Sequence, residues 1–373
     1  MRILEVSFKD PESSAGGVED FVLNLITKFS ESGHKVTCLF SEDPILRENQ
    51  INFRKVNLLK IKTPRTPFLS FWYKIVYNFA VLAYTLWHRK DYDVIHTNGN
   101  NGVFLPIFFG KRTVSTFFGL PIIRVWNTID GKFSIKNFGN LFLAFISTLL
   151  HLPSLVFSRY VVAENPMIFN ILKIFRSESE VKLIYNTVDV DSFKPPSHLE
   201  KENLKKELEL DPNRLIAIWI GNDSNGYGQE IAISIARQYE DSLILILVGA
   251  KSKNGAPNIL QTGRVPHELL TKYIKASDFM LFPQKYPGIS LSMVSCLAAG
   301  LKVVTFSKHL KDFFTSSNVF FTENIDEMGK IVVDILKDPS LLNTNGQDPL
   351  MNNFYPRYCA DRYLELFDKI LSN

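Results

Sequence analysis

Residues 279–306 read FMLFPQKYPGISLSMVSCLAAGLKVVTF. An unbroken apolar run, a loop holding Pro283 and Pro287–Gly288, an apolar helix-length segment from Ile289 to Ala299, Gly300 and a second apolar run form a strand–loop–helix–strand unit. A strand that is apolar at every position must be covered on both faces, as in parallel sheets lined by helices. The segments LIAIWI at 215–220 and LILILV at 243–248 have the same character, with further strands expected at Asn258–Thr262 and Lys302–Phe306. Helices are expected between them at Gln229–Tyr239 and His267–Lys275, then at Lys330–Lys337. Strands that alternate with helices in this way make a doubly wound α/β sheet.

A second series lies upstream. Ile3–Phe8, Lys35–Phe40, Asp93–His96, Arg112–Thr116 and Tyr160–Ala163 read as strands. The first helix is marked by Val18, Phe21, Val22, Leu25, Ile26 and Phe29 at steps of three and four, with Gly33 as its stop. The segment DSFKPP at 191–196 and the charged helical stretch Leu199–Leu210 separate the two series. Domains are therefore expected at 1–195 and 196–350, with a terminal helix at 351–373 free to cross back onto the first. A chain of 373 residues has room for two such units.

Composition narrows the partners. Hydrophobic residues make up 46% of the chain and the net charge is only +4, which argues against a nucleic-acid binder. Cys38, Cys296 and Cys359 are too far apart for a metal motif, and a reducing, cytoplasmic compartment is expected. Thirty Phe and 13 Tyr suggest a lipid-facing or ligand-facing surface. Phe68–His88 and Asn137–Ser158 are long and almost free of charge, but Ser70, Lys74, Asn78 and Thr85 form a polar stripe on the first, and Pro153 interrupts the second. Aromatic content and the flanking Lys60, Lys62, Arg65, Arg89 and Lys90 favour helices lying in a membrane interface over buried or spanning ones. The expected location is peripheral, on the cytoplasmic face of a membrane.

Ligands of open parallel sheets bind at the carboxyl ends of the strands, so the loops there are the candidate site. After the first strand comes DPESSAGGV at 10–18, whose Gly16 and Gly17 let backbone N–H groups approach an anion. IGNDSNGYG at 220–228 and VGAKSKNG at 248–255 occupy equivalent places in the second series. His96 reads as a buried, hydrogen-bonded strand residue rather than a catalyst.

On these residues the chain resembles the family 4 retaining glycosyltransferases. AGGVEDFVLNLITKFSESGHKVTCLF at 15–40, DYDVIH at 91–96, NTVDVDSFKP at 186–195, IWIG at 218–221, LVGA at 247–250 and TGRVPHELLTKYIKASDFMLFP at 262–283 follow the family's order. The resemblance implies a GT-B fold, two Rossmann-like domains facing a cleft, and transfer of a hexosyl unit from a nucleotide sugar to an acceptor with retention. It implies no metal or other cofactor. The acceptor is expected to be a glycan, in one version lipid-linked. Donor contacts are expected from Gly16, Gly17, Asn222, Arg264, Lys285, Gly288, Ile289, Ser290 and Ser295, and the acceptor side from Asn98, Phe118 and Gly119.

The departures from the family are specific. Pro287 and Ser295 stand where two carboxylates are usual, Asn222 and Tyr227 where a basic pair is usual, and Phe118 and Asn98 at positions often held by His. They imply a donor held largely by amides and neutral side chains. They also keep a second reading open, a catalytically degenerate GT-B subunit that binds a partner transferase or a glycan. A sugar-nucleotide epimerase of the same fold is a third.

Overall fold

The computed structural model describes residues 1–11, 17–41, 56–61, 70–121, 135–221, 228–249, 256–284, 289–306, 310–311, 314, 318–343 and 349–372. The chain forms two compact units, Met1–Thr187 with Asn353–Asn373, and Val188–Asn352. The changeovers fall after Thr187 and after Asn352, where the sequence led to 195/196 and 350/351.

The first unit is built on seven parallel strands: β1 (Arg2–Val6), β2 (Lys35–Ser41), β3 (Val56–Ile61), β4 (Val94–Asn98), β5 (Thr113–Phe117), β6 (Tyr160–Ala163) and β7 (Val181–Leu183), in spatial order β3-β2-β1-β4-β5-β6-β7. Neither β3 nor β7 was expected from sequence. β3 is a half-exposed edge strand and β7 has three residues, so neither carries the continuous apolar signal of a central strand.

Successive residues of each strand face opposite sides of this sheet. One face is covered by α1 (Gly17–Glu31) and α12 (Pro356–Leu371), which bury Phe21, Leu25, Phe29, Tyr363 and Phe367 against Ile3, Val36, Val94 and Val114. On this face Glu5 is fully buried, and its carboxyl group meets His96 Nδ1 at 2.9 Å and the Asn98 amide. His96 Nε2 meets Thr116 Oγ1 at 2.8 Å, and Thr116 Oγ1 meets the Tyr363 hydroxyl at 2.7 Å. A polar chain thus runs through the core from β1 to the last helix. An unpaired carboxyl group here would cost several kcal/mol, so each link is structural.

The opposite face carries α2 (Ser70–Trp87), α3 (Leu105–Phe109), α4 (Ile135–Leu149), α5 (Leu152–Phe157) and α6 (Pro166–Phe175). Of the polar stripe of α2, Asn78 and Thr85 turn inward while Lys74 is exposed. Asn78 donates to the Lys74 and Asn100 carbonyls and accepts from Val103 N–H, and buried Tyr77 donates to the Leu39 carbonyl at 3.2 Å and to that of Ser7. The stretch Gly139–Phe157 has the length and mean hydropathy, 1.7, of a membrane span. It is instead a helix pair clamped to the unit. Asn100 donates to Ser147 Oγ at 2.9 Å, buried His151 packs on the Phe117 ring, and Ser158 Oγ lies 2.7 Å from Ser115 Oγ. β5 and β6, which flank it, pair directly, so the two ends cannot lie on opposite sides of a bilayer.

The second unit has six parallel strands, β8 (Leu215–Ile220), β9 (Leu243–Val248), β10 (Ile259–Gly263), β11 (Phe279–Phe282), β12 (Lys302–Thr305) and β13 (Val319–Phe321), in order β10-β9-β8-β11-β12-β13. β13, another three-residue edge strand, was not expected. Its helices are α7 (His198–Glu207), α8 (Gln229–Gln238), α9 (His267–Ala276), α10 (Leu291–Ala298) and α11 (Ile325–Lys337), the last starting one turn and more before the expected Lys330. Asp278 ties α7 to the sheet, because its carboxylate accepts from Lys201, Lys205 and the amide of Ile216.

Tyr363→Phe removes the hydroxyl from the buried chain and leaves Thr116 with one partner fewer. It should lower the stability of the first unit by about 1 kcal/mol. Phe367→Ala should cost about 3–5 kcal/mol through the cavity it leaves. Urea unfolding followed by tryptophan fluorescence and circular dichroism measures both.

Candidate active site

The carboxyl ends of β8, β9 and β10 finish side by side in glycine, at Gly221, Gly249 and Gly263. The Gly221 amide donates to the Val248 carbonyl at 3.0 Å and the Gly249 amide to the Gly263 carbonyl at 2.8 Å. A Cβ on Gly249, which has φ +91°, would stand 2.1 Å from the Gly221 carbonyl oxygen. Gly228, the left-handed residue capping α8, is pressed as closely on Pro283 at the end of β11. These contacts need glycine, and together they form a shelf of bare backbone at the strand ends.

The expected donor residues have different surroundings. Arg264 follows β10 directly and is exposed. Ile289 and Ser290 precede α10 rather than opening it, as Ser290 is the N-cap, so the free amides of the first turn belong to Leu291, Ser292 and Met293. Ser290 Oγ lies 2.7 Å from Ser292 Oγ and makes no capping hydrogen bond. Ser295 is inside the helix and 7% exposed. Gly17, in the first unit, is the exposed first residue of α1. Gly16, Asn222, Lys285 and Gly288, with Tyr227 and Pro287, lie outside the described residues.

In the first unit, Asn98 ends β4 but is fully buried and held by Glu5 and the Val6 carbonyl. It supports the strand end from beneath and presents no surface. Phe118 packs edge-on against Phe21, with ring centroids 5.2 Å apart, and Gly119 follows at φ +102°.

Sequence reasoning missed Glu164, the residue after β6. Its carboxyl group accepts from the Asn186 amide at 2.5 Å and from Asn165 at 3.4 Å. Asn165 also caps α6, and Asn186 immediately precedes Thr187, which accepts from Asn24 of α1 at 3.0 Å. Burial pushes the Glu164 carboxyl up to about 7, with the two amides pulling the other way. A carboxyl group at a strand end that exchanges its proton near neutrality is a candidate acid or base. The one signal in the sequence is an acidic residue directly after the apolar run YVVA. Among the described residues no cluster of His, Cys, Asp and Glu could hold a metal ion.

The raised Glu164 value has a consequence for stability. Between about 4.5 and about 7 the native state holds a proton that the unfolded chain has released, so stability is greatest below that window and falls as pH rises through it. Glu164→Gln should flatten this fall while preserving the fold, as shown by thermal midpoints measured from pH 4 to pH 8. Gly249→Ala should cost well over about 1 kcal/mol and is checked by the same melts.

Comparison with known proteins agrees with this geometry. Residues 15–192 match the model for Glycosyltransferase Family 4. No curated protein matches the chain by sequence. Among solved structures, the sucrose-phosphate synthase (tll1590) of Thermosynechococcus elongatus superposes with a TM-score of 0.80 at 17% identity, covering 100% of this chain and 99% of its own. Anabaena Alr3699/HepE, in complex with UDP and glucose, gives 0.72 at 16%, covering 99% of each chain. WaaG, a glycosyltransferase involved in lipopolysaccharide biosynthesis, gives 0.71 at 12% over 100% of both chains. The two parallel sheets are those of the GT-B glycosyltransferase fold, and every strand of the first except β1 lies within the residues, 15–192, that match Glycosyltransferase Family 4.

Proposed function

We propose that this protein transfers a hexosyl unit from a uridine diphosphate sugar to an acceptor, with retention of the anomeric configuration and without a metal. The donor lies on the second unit and the acceptor on the first. The observation that carries the reading is the glycine shelf of Gly221, Gly249 and Gly263 at the ends of β8, β9 and β10, with α10 following the neighbouring β11, a place where backbone can approach a diphosphate. HepE, which shares the fold, is seen with UDP and glucose.

Leaving-group departure places negative charge on the diphosphate. Fixed amides at the start of α10, with Ser290 at its cap and Arg264 at the end of β10 in the same sheet, would stabilise it without reorganisation. Lys285 completes the donor contacts of the second unit in this reading, with Asn222 and Ser295 as neutral partners, and the Gly16–Gly17 loop is the first unit's contribution. The acceptor is a glycan approaching Phe118 and Gly119, and a lipid-linked one accords with the likeness to WaaG. Three buried free cysteines suit a cytoplasmic setting.

The uncharged positions Asn222, Tyr227, Pro287 and Ser295 favour a second reading, in which the same shelf serves a non-catalytic subunit that binds a glycan or a partner transferase.

Calorimetry with uridine, guanosine and adenosine diphosphate sugars separates the two. The first reading expects heat with a uridine diphosphate sugar, weakened at least about tenfold by Ser290→Trp with the thermal midpoint unchanged, since each lost hydrogen bond to a charged group is worth about 1.5–3 kcal/mol. Gly17→Trp should abolish product formation, and NMR of the product should show the donor's anomeric configuration. Absence of heat with every donor selects the non-catalytic subunit.

A further inference from the structure

Helices on the surface of a water-soluble unit normally turn their polar side outward. Two helices on one face of the first sheet, α2 and α4, instead turn polar groups inward and large apolar side chains outward. In α2, Tyr77, Asn78 and Thr85 are buried against the sheet while Phe79, Leu86 and Trp87 face solvent, Trp87 being 86% exposed. In α4, Ser147 bonds inward to Asn100 while Phe142, Leu143 and Phe145 are exposed.

The carboxyl ends of α2, α3, α5 and α6 all lead into strands β4 to β7, so they gather at the end of the sheet opposite the strand-end loops. Their contacts make them continuous. Arg112 donates to the Arg89 and Tyr92 carbonyls behind α2, Gly110 behind α3 abuts the Phe157 carbonyl, and Arg176 behind α6 donates to the carbonyls of Leu155, Val156 and Ser158. Trp87, Phe108, Phe157, Ile174 and Phe175 are the exposed apolar side chains of that end.

The charge around them is one-sided. Asp93, Glu178 and Glu180 are each paired, with Arg2, Lys173 and Arg176 respectively, and Asp91 is hydrogen-bonded to His88. Arg89, Lys90 and Lys111 are exposed at the same end and form no ion pair with a described residue. Exposed aromatic side chains with basic groups between them complement the headgroup region of an anionic membrane.

We propose that the first unit docks on an anionic lipid bilayer through the apolar ends of α2, α3, α5 and α6, with Arg89, Lys90 and Lys111 among the lipid headgroups. Docking is peripheral, because β5 and β6 hold both ends of the α4–α5 stretch in one sheet. This surface stands whether or not the transfer reaction does.

Flotation of the full chain with vesicles of phosphatidylcholine, alone or mixed with phosphatidylglycerol, tests it. The mixed vesicles should carry the protein up and alkaline carbonate should release it. Combined Arg89→Glu, Lys90→Glu and Lys111→Glu should weaken binding by about a hundredfold or more, and combined Phe108→Ser and Phe157→Ser should abolish it. Brominated lipid should quench tryptophan emission in the unaltered protein and fail to do so in Trp87→Phe, a readout that requires no destabilised variant. Absence of flotation, or retention after carbonate, overturns the proposal. So does flotation untouched by both sets of substitutions, or a dimer in solution that Phe108→Ser with Phe157→Ser dissolves, since a second copy would then be what covers this face.

Discussion

The carboxyl group of Glu5 sits in the middle of the first sheet with no access to water, and the architecture of that unit follows from having to satisfy it. His96 and Asn98 of the neighbouring strand take its two oxygens, His96 passes its other nitrogen to Thr116, and Thr116 reaches Tyr363 near the end of the chain. A buried carboxyl group left without partners is far costlier than a missing apolar contact, so this chain of bonds selects which helix closes the α1 face. The last helix belongs to the first unit because its one buried hydroxyl completes the set, while Cys359, Phe367 and Ile370 on the same stripe provide the apolar seal.

Such a link cannot be read from periodicity. The stripe Cys359, Tyr363, Leu366, Phe367 and Ile370 marks the segment as an amphipathic helix, but nothing local says which sheet it covers. The central strands were legible for the opposite reason: LIAIWI and LILILV are apolar at every residue because both faces are covered, and that alone distinguishes them. β3, with Asn57 and Lys60 facing partly outward, and the three-residue β7 and β13 are edge or near-edge strands held by one or two neighbours, so their identity comes from the sheet they join.

The site divides along the same line. Glycines that end strands are visible in the sequence, and Gly249 is there because the Gly221 carbonyl leaves no room for a Cβ. Asn98 was legible as a strand-end polar residue, but only the fold shows that Glu5 consumes its amide. Glu164 went unseen because its partner lies 22 residues away, at the end of another strand. Its shifted proton affinity results from burial that the topology creates, and a lone acidic residue after an apolar run carries no record of it.

Thirty phenylalanines are the compositional oddity of this chain, and among the described residues two groups of them stand apart. Phe21, Phe29, Phe117, Phe279, Phe282 and Phe367 are core residues, each almost wholly buried. Phe79, Phe108, Phe142, Phe145, Phe157 and Phe175 are about half or more exposed, from 46% to 64%, and all belong to helices on one face of the first sheet. Random scatter of exposed apolar residues is ordinary on a protein surface, but confinement to one face is not. The polar groups of these helices are spent inward, Asn78 and Tyr77 on backbone carbonyls and Ser147 on Asn100, so the outward residues were free to be polar at no cost to folding. Stability of the fold therefore does not explain the aromatic choice on the outside, and it is this surplus that the proposed membrane surface accounts for.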